Sequence, residues 1–402
     1  MKKVKLKDIA NIYNGNSINA RVKAEKYCFN VPAWNYIGTK DIDFDGTVNY
    51  DTGVKIPFEE KGFKIAPANC VFVCSEGGSA GKKTAHITQE VCFGNKLYAI
   101  VNNKNLFVSK YVYYYTRYRE FFEQFKALMS GIIGGVSSKK FGEIEIPLLS
   151  LHKQQRIVEK IEELFSKLDK GVEELNKIKE QLKIYRQAVF SNIINSYNGT
   201  KVKLCDVSDT IDGDRGKNYP KQGEFFRDGY CLFLTAKNVR PFGWKFDDKT
   251  FITREKDNVL RNGKMQLNDV VITTRGTLGN VAVYDETVPY ENVRINSCML
   301  IIRPQTENIT PNFLAYYLMS PMFQLQIEKL KSGTAQPQIP ANVLKEIELS
   351  LPSIKDQKMI VDKLQEHLSV CDKIEQTVNE TLQKAESLRQ SILKQAFEGK
   401  LV

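Results

Sequence analysis

The chain is 402 residues long, 42% hydrophobic and 26% charged, with a net charge of +11 and a pI near 9.0. That balance is ordinary for a globular protein. No apolar run reaches the roughly 18 residues of a membrane span, and the amino-terminal MKKVKLKDIA lacks the apolar stretch of a secretory signal. The basic excess points to an anionic partner, nucleic acid first. It is concentrated: residues 1–150 carry 21 basic and 14 acidic side chains, whereas 354–402 carry 8 of each.

A chain of this length fills two or three cores. Its eight cysteines show no C-x-x-C spacing, the nearest pair being Cys70 and Cys74, and its three histidines, His86, His152 and His367, are far apart. This pattern predicts reduced thiols in the cytoplasm and no metal site.

In chain order, VKLKDIANI from Val4 reads as a short strand followed by an amphipathic turn. Tyr36-Ile37-Gly38-Thr39-Lys40-Asp41-Ile42 reads as a strand running into a turn that carries Lys40. Asn69-Cys70-Val71-Phe72-Val73-Cys74-Ser75 reads as a buried strand ending in a glycine loop at 76–81. Asn95 precedes another strand, KLYAIV. Residues 109–129 are helical and rich in aromatics, among them Tyr111, Tyr114, Tyr115, Phe121, Phe122 and Phe125. Core packing explains these better than stacking on bases does. A polar glycine loop at 130–138 and a further strand follow.

From His152 to Asn195 apolar residues recur in steps of three and four: Ile157, Ile161, Leu164, Leu168, Leu175, Ile178, Leu182, Tyr185 and Val189. They predict one helix of roughly 65 Å with a single apolar stripe, and such a helix needs a partner. The chain supplies one, because from about Val202 the whole series repeats. VKLCDVSDT answers VKLKDIANI, Phe233-Leu234-Thr235-Ala236-Lys237-Asn238-Val239 answers the Lys40 turn, and Asn268-Asp269-Val270-Val271-Ile272-Thr273-Thr274 leads into a second glycine loop from Arg275 to Gly279. Residues 310–330 form the second helical stretch, with Thr310-Pro311 as cap and first helical position. Residues 355–399 repeat the long helix at an offset of 203 positions, placing Ile360, Val361, Asp372 and Arg389 opposite Ile157, Val158, Asp169 and Arg186. A period of this size is a duplicated domain with its helix, not a solenoid unit.

This doubled layout resembles the specificity subunit of type I restriction–modification enzymes over essentially the whole chain. The resemblance rests on EIEIPLLSLHKQQRIVEKI from Glu143 and EIELSLPSIKDQKMIVDKL from Glu346, on the loop Ser332-Gly333-Thr334-Ala335-Gln336-Pro337-Gln338-Ile339, and on the ending AFEGKLV from Ala396. Two ordered copies of the set are far more specific than any one motif. The resemblance implies an α+β (mixed α/β) fold: target recognition domains at 1–150 and 200–353, joined by two long helices at 151–199 and 354–402 that form an antiparallel coiled coil. It implies that each domain reads one half of a split DNA site, and that the diverged domains make the site asymmetric. Helix length would then set the spacing of the half-sites. It further implies that two modification subunits, carrying S-adenosylmethionine and methylating adenine, dock on this frame. Translocating restriction subunits can join, and the chain itself does no chemistry.

Candidate DNA contacts follow from residue type and position. Arg275 in its glycine loop suits a guanine edge or a phosphate, and Thr273, Thr274 and Thr277 suit phosphates. The equivalent first loop carries Ser75, Ser79, Lys82 and Lys83. Gln336 and Gln338 suit bidentate pairing with adenine. The first-unit loop lacks both, but Lys139 and Lys140 follow it as phosphate contacts. Lys40 and Lys237 recur at one place, with Arg240 beside the second. Each has a plainer reading as an exposed turn or strand-end residue.

Catalytic motifs are wanting. Gly77-Gly78-Ser79-Ala80-Gly81-Lys82-Lys83-Thr84 looks like a P-loop, but Lys83 stands where Ser or Thr is required and a strand follows instead of a helix. There is no G-x-G-x-x-G after a strand and no aromatic-terminated Pro-Pro motif of adenine methyltransferases. Gly77-Gly78-Ser79-Ala80-Gly81 has the G-x-S-x-G spacing, but a strand follows it where a nucleophile elbow needs a helix, so it supports no serine triad. Glu59-Glu60-Lys61 imitates a nuclease E-x-K within a charged turn. The competing readings are a stand-alone DNA nuclease or methyltransferase with such recognition domains, and a coiled-coil scaffold with no DNA role.

Overall fold

Each half of the chain is closed by a short antiparallel ladder between its two ends. Lys3–Lys5 pairs with Glu145–Pro147, and Thr200–Lys203 pairs with Glu348–Leu351. The computed structural model describes residues 2–28, 32–131, 134–241, 243–333 and 337–402. They form two units, Met1–Asn176 with Asn379–Val402, and Lys177–Val378.

In the first unit a four-stranded antiparallel sheet runs Asn11–Asn14, Leu97–Val101, Cys70–Cys74, Thr84–Ile87. A second sheet pairs Ala33–Ile37 in parallel with Val91–Phe93, flanked by Lys55–Pro57 and Ile65–Ala66. The strand Cys70–Cys74 is buried at every position. Val71 and Val73 face the helices, while Cys70, Phe72 and Cys74 face the second sheet with Ile37, Val91 and Phe93. A strand covered on both sides has no use for a polar alternate, so CVFVC reads as one apolar run.

The second unit repeats the plan. Its sheet runs Ser208–Asp212, Met299–Pro304, Val270–Thr273, Val281–Val283, and Cys231–Leu234 lies parallel to Val293–Ile295 in the other. Val270 and Ile272 face helices, and Val271 faces Leu232, Leu234 and Ile295.

The helical stretches at 109–129 and 310–330 are each two helices, Ser109–Thr116 with Arg119–Leu128 and Pro311–Met319 with Pro321–Leu330. Ser320 caps the second of the latter pair by accepting from the Phe323 N–H, with Pro321 at the first helical position. Tyr111 and Tyr115 are fully buried, and their hydroxyls donate to the carbonyls of Pro147 and Glu145 at 2.8 and 2.7 Å. The aromatic run is therefore core, packed around Phe397, whose ring centroid lies 5.1 Å from that of Tyr111 and 5.0 Å from that of Tyr115.

The long helices span Leu151–Asn195 and Ile354–Phe397, 45 and 44 residues. Each unit takes the beginning of one and the end of the other. Ile157, Val158 and Ile161 share the first core with Ile392, Leu393, Ala396 and Phe397. Ile360, Val361 and Leu364 share the second with Val189, Phe190 and Ile194. Within each unit the two segments run antiparallel. The expected stripe is corrected at two points: Ile178 is 38% and Tyr185 48% exposed, while Arg186, beside the latter, is buried at 6%.

A buried glutamine fixes each helix start. Gln154 Nε2 donates to the carbonyls of Leu149 (2.8 Å) and Leu106 (3.2 Å), and its Oε1 accepts from the Val108 N–H at 2.8 Å. Gln357 does the same with Pro352 (3.0 Å), Asn308 (2.9 Å) and the Thr310 N–H at 2.8 Å. Both are 0% exposed, so these bonds satisfy amides that water does not reach.

Candidate nucleic-acid interface

The buried strand Cys70–Cys74 must turn sharply to pair with Thr84–Ile87, and glycines make the turn. Gly77 and Gly81 have φ of +83° and +68°. A side chain on Gly81 would put its Cβ 2.5 Å from the ring of Phe125, itself fully buried. The second loop repeats this with Gly276 and Gly279 at φ +75° and +78°.

Each glycine loop is clasped to the later Ser-Gly loop of its own unit. In the second unit the Ile339 N–H donates to Thr274 O (3.0 Å) and the Gly276 N–H to Pro337 O (3.1 Å), which sets Arg275 directly opposite Gln338. In the first unit the Val136 N–H donates to Ser75 O (3.1 Å) and the Gly77 N–H to Gly134 O (2.9 Å), which sets Glu76 opposite Gly135. The same two bonds recur around different side chains. The Ser-Gly loops are closed by two-way bonds, Ser332 with Gln338 and Ser130 with Gly135.

The lysine turns join the clasps. Lys40 and Lys237 are exposed on short 3-10 turns, Thr39–Asp41 and Ala236–Asn238. The residue after each lysine holds the turn: the Asp41 carboxylate accepts from the Gly38 N–H at 2.8 Å, and Asn238 Oδ1 from the Thr235 N–H at 2.9 Å. Lys83 Nζ donates to Thr39 O at 3.2 Å, tying glycine loop to lysine turn in the first unit. Asn280 Nδ2 donates to Val239 O at 2.9 Å and makes the corresponding tie in the second. Three separate stretches of sequence thus form one surface in each unit.

The side chains divide by position. Lys82, Lys139, Lys140, Arg240 and Thr277 are exposed, while Ser79, Lys83, Arg275 and Gln338 are half-buried. The guanidinium of Arg275 has no ion-pair or hydrogen-bond partner among the described residues. Lys237 lies 3.5 Å from Asp248 in an exposed pair. Ser75 and Thr274 are buried, at 5% and 2%, and Thr273 at 1%. The Thr274 hydroxyl donates to Cys298 O at 3.3 Å, and that of Thr273 accepts from the Asn280 N–H at 3.0 Å. These three support the loops from beneath and do not face outward. Gln336 lies outside the described residues.

Sequence reading missed Asn280, Gln154 and Gln357, whose polar side chains look like surface residues until the fold buries them. It also missed Lys23, on the exposed helix Ala20–Lys26. Its ammonium sits 4.4 Å over the Tyr36 ring, and burial, then the nearby Lys40, pushes its pKa down. The cluster Arg21, Lys23, Lys26 was the available signal.

All eight cysteines are free, and burial pushes the thiols of Cys70, Cys92 and Cys231 up to about 12. No group of three or more His, Cys, Asp or Glu able to hold a metal occurs among the described residues. No described helix is long and apolar enough to cross a membrane.

A doubled mixed α/β unit with a basic loop surface, each copy carried on a pair of long helices, is a known class of fold. A chain from a structural study of complex assembly and conformational transition of the type I R-M system shares it, with TM-score 0.77 at 17% identity, covering 99% of this chain and 98% of that one. The HsdS subunit from Thermoanaerobacter tengcongensis shares it with TM-score 0.55 at 17% identity, covering 99% and 97%. At that identity the likeness is one of fold. Residues 1–183 and 200–384 each match the type I restriction modification DNA specificity domain, and the chain belongs to that family. Among its relatives, the type I restriction enzyme EcoBI specificity subunit of Escherichia coli is 28% identical over 289 residues, which is 66% of this chain and 60% of that protein. The EcoKI specificity subunit of Escherichia coli strain K12 is 24% identical over 355 residues, 84% of this chain and 76% of that protein.

Proposed function

We propose that this chain is the DNA sequence-specificity subunit of a type I restriction–modification complex acting in the cytoplasm. Each unit presents its clasp to one half of a bipartite double-stranded site. The observation that carries this is the repetition of the clasp with its bonds kept and its side chains changed. Two readers of one construction and different chemistry suit an asymmetric split site. Lys40, Lys82, Lys83, Lys139, Lys140 and Ser79 would meet the backbone of one half-site. Lys237, Arg240, Thr277, Arg275 and Gln338 would meet the other, the last two at base edges.

The chain performs no catalysis in this reading. Two modification subunits dock on it, bring S-adenosylmethionine and methylate adenine, and translocating restriction subunits can join. The relatives' names as specificity subunits support this. So does the lack of methyltransferase and nucleotide-binding motifs in the sequence. Incubating the purified chain with labelled S-adenosylmethionine and genomic DNA, with and without the methyltransferase subunits of its source, tests it. Transfer is expected only with the partners. Transfer or cleavage by the chain alone would establish the stand-alone enzyme instead.

A further inference from the structure

The two clasps differ most at one point. Arg275 and Glu76 hold the same place: second residue after the buried strand, flanked by the same two backbone bonds, opposite a residue of the Ser-Gly loop. Bonds on either side and none between the pair itself define a non-hydrogen-bonded antiparallel pair, in which facing side chains stand close together on one side. In the second unit this puts Arg275 and Gln338 side by side. In the first it puts Glu76 beside Gly135, which has no side chain. A Cβ on Gly135 would come within 3.0 Å of the Glu76 Cβ, so the first clasp leaves its carboxylate without a neighbour on that strand.

The base edges in the major groove match this reversal of charge. Guanine offers two acceptors, O6 and N7, to a donor fork such as arginine. Cytosine offers one donor, the N4 amino group, to an acceptor such as carboxylate. A carboxylate among the lysines of a phosphate-facing surface weakens backbone binding, so its presence needs a compensating contact. Lys96 is a partial one, 3.1 Å away, but the two side chains are 54% and 43% exposed, and such a pair holds a carboxylate only loosely.

Resting on the DNA-specificity reading above, we propose that Glu76 is the base-reading residue of the first unit. It accepts from the N4 amino group of a cytosine at the position equivalent to the one where Arg275 donates to a guanine in the other half-site. The two halves of the site then differ in the sense of the same contact, made from one backbone frame.

The test is selection from a pool of randomised duplexes by the full chain, alone and assembled with the methyltransferase subunits of its source, followed by sequencing. Wild type is expected to enrich a split motif with a fixed C·G pair in one half. Glu76→Ala should flatten that position alone, lowering its preference roughly ten- to hundredfold, with the other half-site unchanged. Glu76→Gln should move the preference toward A·T, because an amide pairs with adenine. Lys96→Ala should leave it in place. If wild type enriches a split motif that Glu76→Ala and Glu76→Gln leave unaltered, Glu76 does not read a base, although the DNA-specificity reading stands. If wild type enriches no motif in either form, that reading falls and this proposal with it.

Discussion

Arg186 reaches Asp372 with its Nη2 2.7 Å from the carboxylate, and Glu375 with 3.1 Å, while its own side chain stays 7% exposed. In the other unit Arg389 bonds Asp169 in the same manner. Arg389 and Asp372 are the residues 203 positions after Arg186 and Asp169. The two pairs are therefore one pair made twice, with the partners' helices exchanged. A duplicated helix that packs antiparallel on its own copy produces this relation, so the repeat in the sequence and the packing within each unit are one fact.

The buried arginine carries this contact. Arg186→Ala should lower the unfolding free energy by about 1–2 kcal/mol, since charge-assisted bonds are lost and partly exposed acids are rehydrated. Asp372→Asn should cost less, because Asp372 is 70% exposed. Urea unfolding of the full chain checks the order, and an equal or larger loss for Asp372→Asn would contradict it.

Gln154 and Gln357 should behave as local clamps. Replacement by leucine leaves buried carbonyls and one N–H unsatisfied, at about 1–3 kcal/mol for each site. Gln154→Leu should accelerate amide exchange at Val108 and not at Thr310, and Gln357→Leu the reverse. Hydrogen exchange read residue by residue distinguishes this from a general loss of stability.

In the second unit Asp257 sits buried between Arg294 Nε at 2.8 Å and Lys264 Nζ at 2.5 Å. Burial raises its pKa, but the bonds from Lys264 and Arg294 outweigh burial and hold the carboxyl below its ordinary value. A depressed carboxyl stabilises the fold above its unfolded pKa, and that contribution fades as pH drops through the folded one. Stability should thus fall as the medium is acidified below about pH 4. Asp257→Asn should remove this part of the pH dependence and cost about 3 kcal/mol or more at neutral pH, because Arg294 stays buried unpaired. Thermal melts from pH 7 to 3 measure both.

On the DNA side, Arg275→Ala should relax base preference in one half-site only, by about 1–3 kcal/mol. Lys82→Ala should weaken all sequences alike and reduce the slope of log affinity against log salt by about 0.9. Titrations at several salt concentrations separate the two. A salt-slope change for Arg275→Ala without a change in preference would make it a phosphate contact.

Much of this was legible because duplication lets a sequence be compared with itself. The glycine loops, the lysine turns and the long helices stood out by recurring, and CVFVC announced a strand covered on both faces. The clasp did not, because it joins residues some 60 positions apart through backbone bonds that leave no mark on side-chain type. For the same reason Ser75 and Thr274 passed as contact residues: a small polar side chain beside a glycine looks alike above or beneath a loop. Tyr185 and Arg186 changed places because a stripe drawn by hydropathy cannot foresee an arginine with two acids waiting across the helix pair.

The most direct measurement is the map of methylated adenines made when this chain is expressed with the methyltransferase subunits of its source in a host without its own adenine methylation. A split, asymmetric motif is expected, which Arg275→Ala degrades in one half and leaves intact in the other. A continuous or symmetric motif, or one degraded equally in both halves, would contradict the claim that two separately built clasps read this DNA.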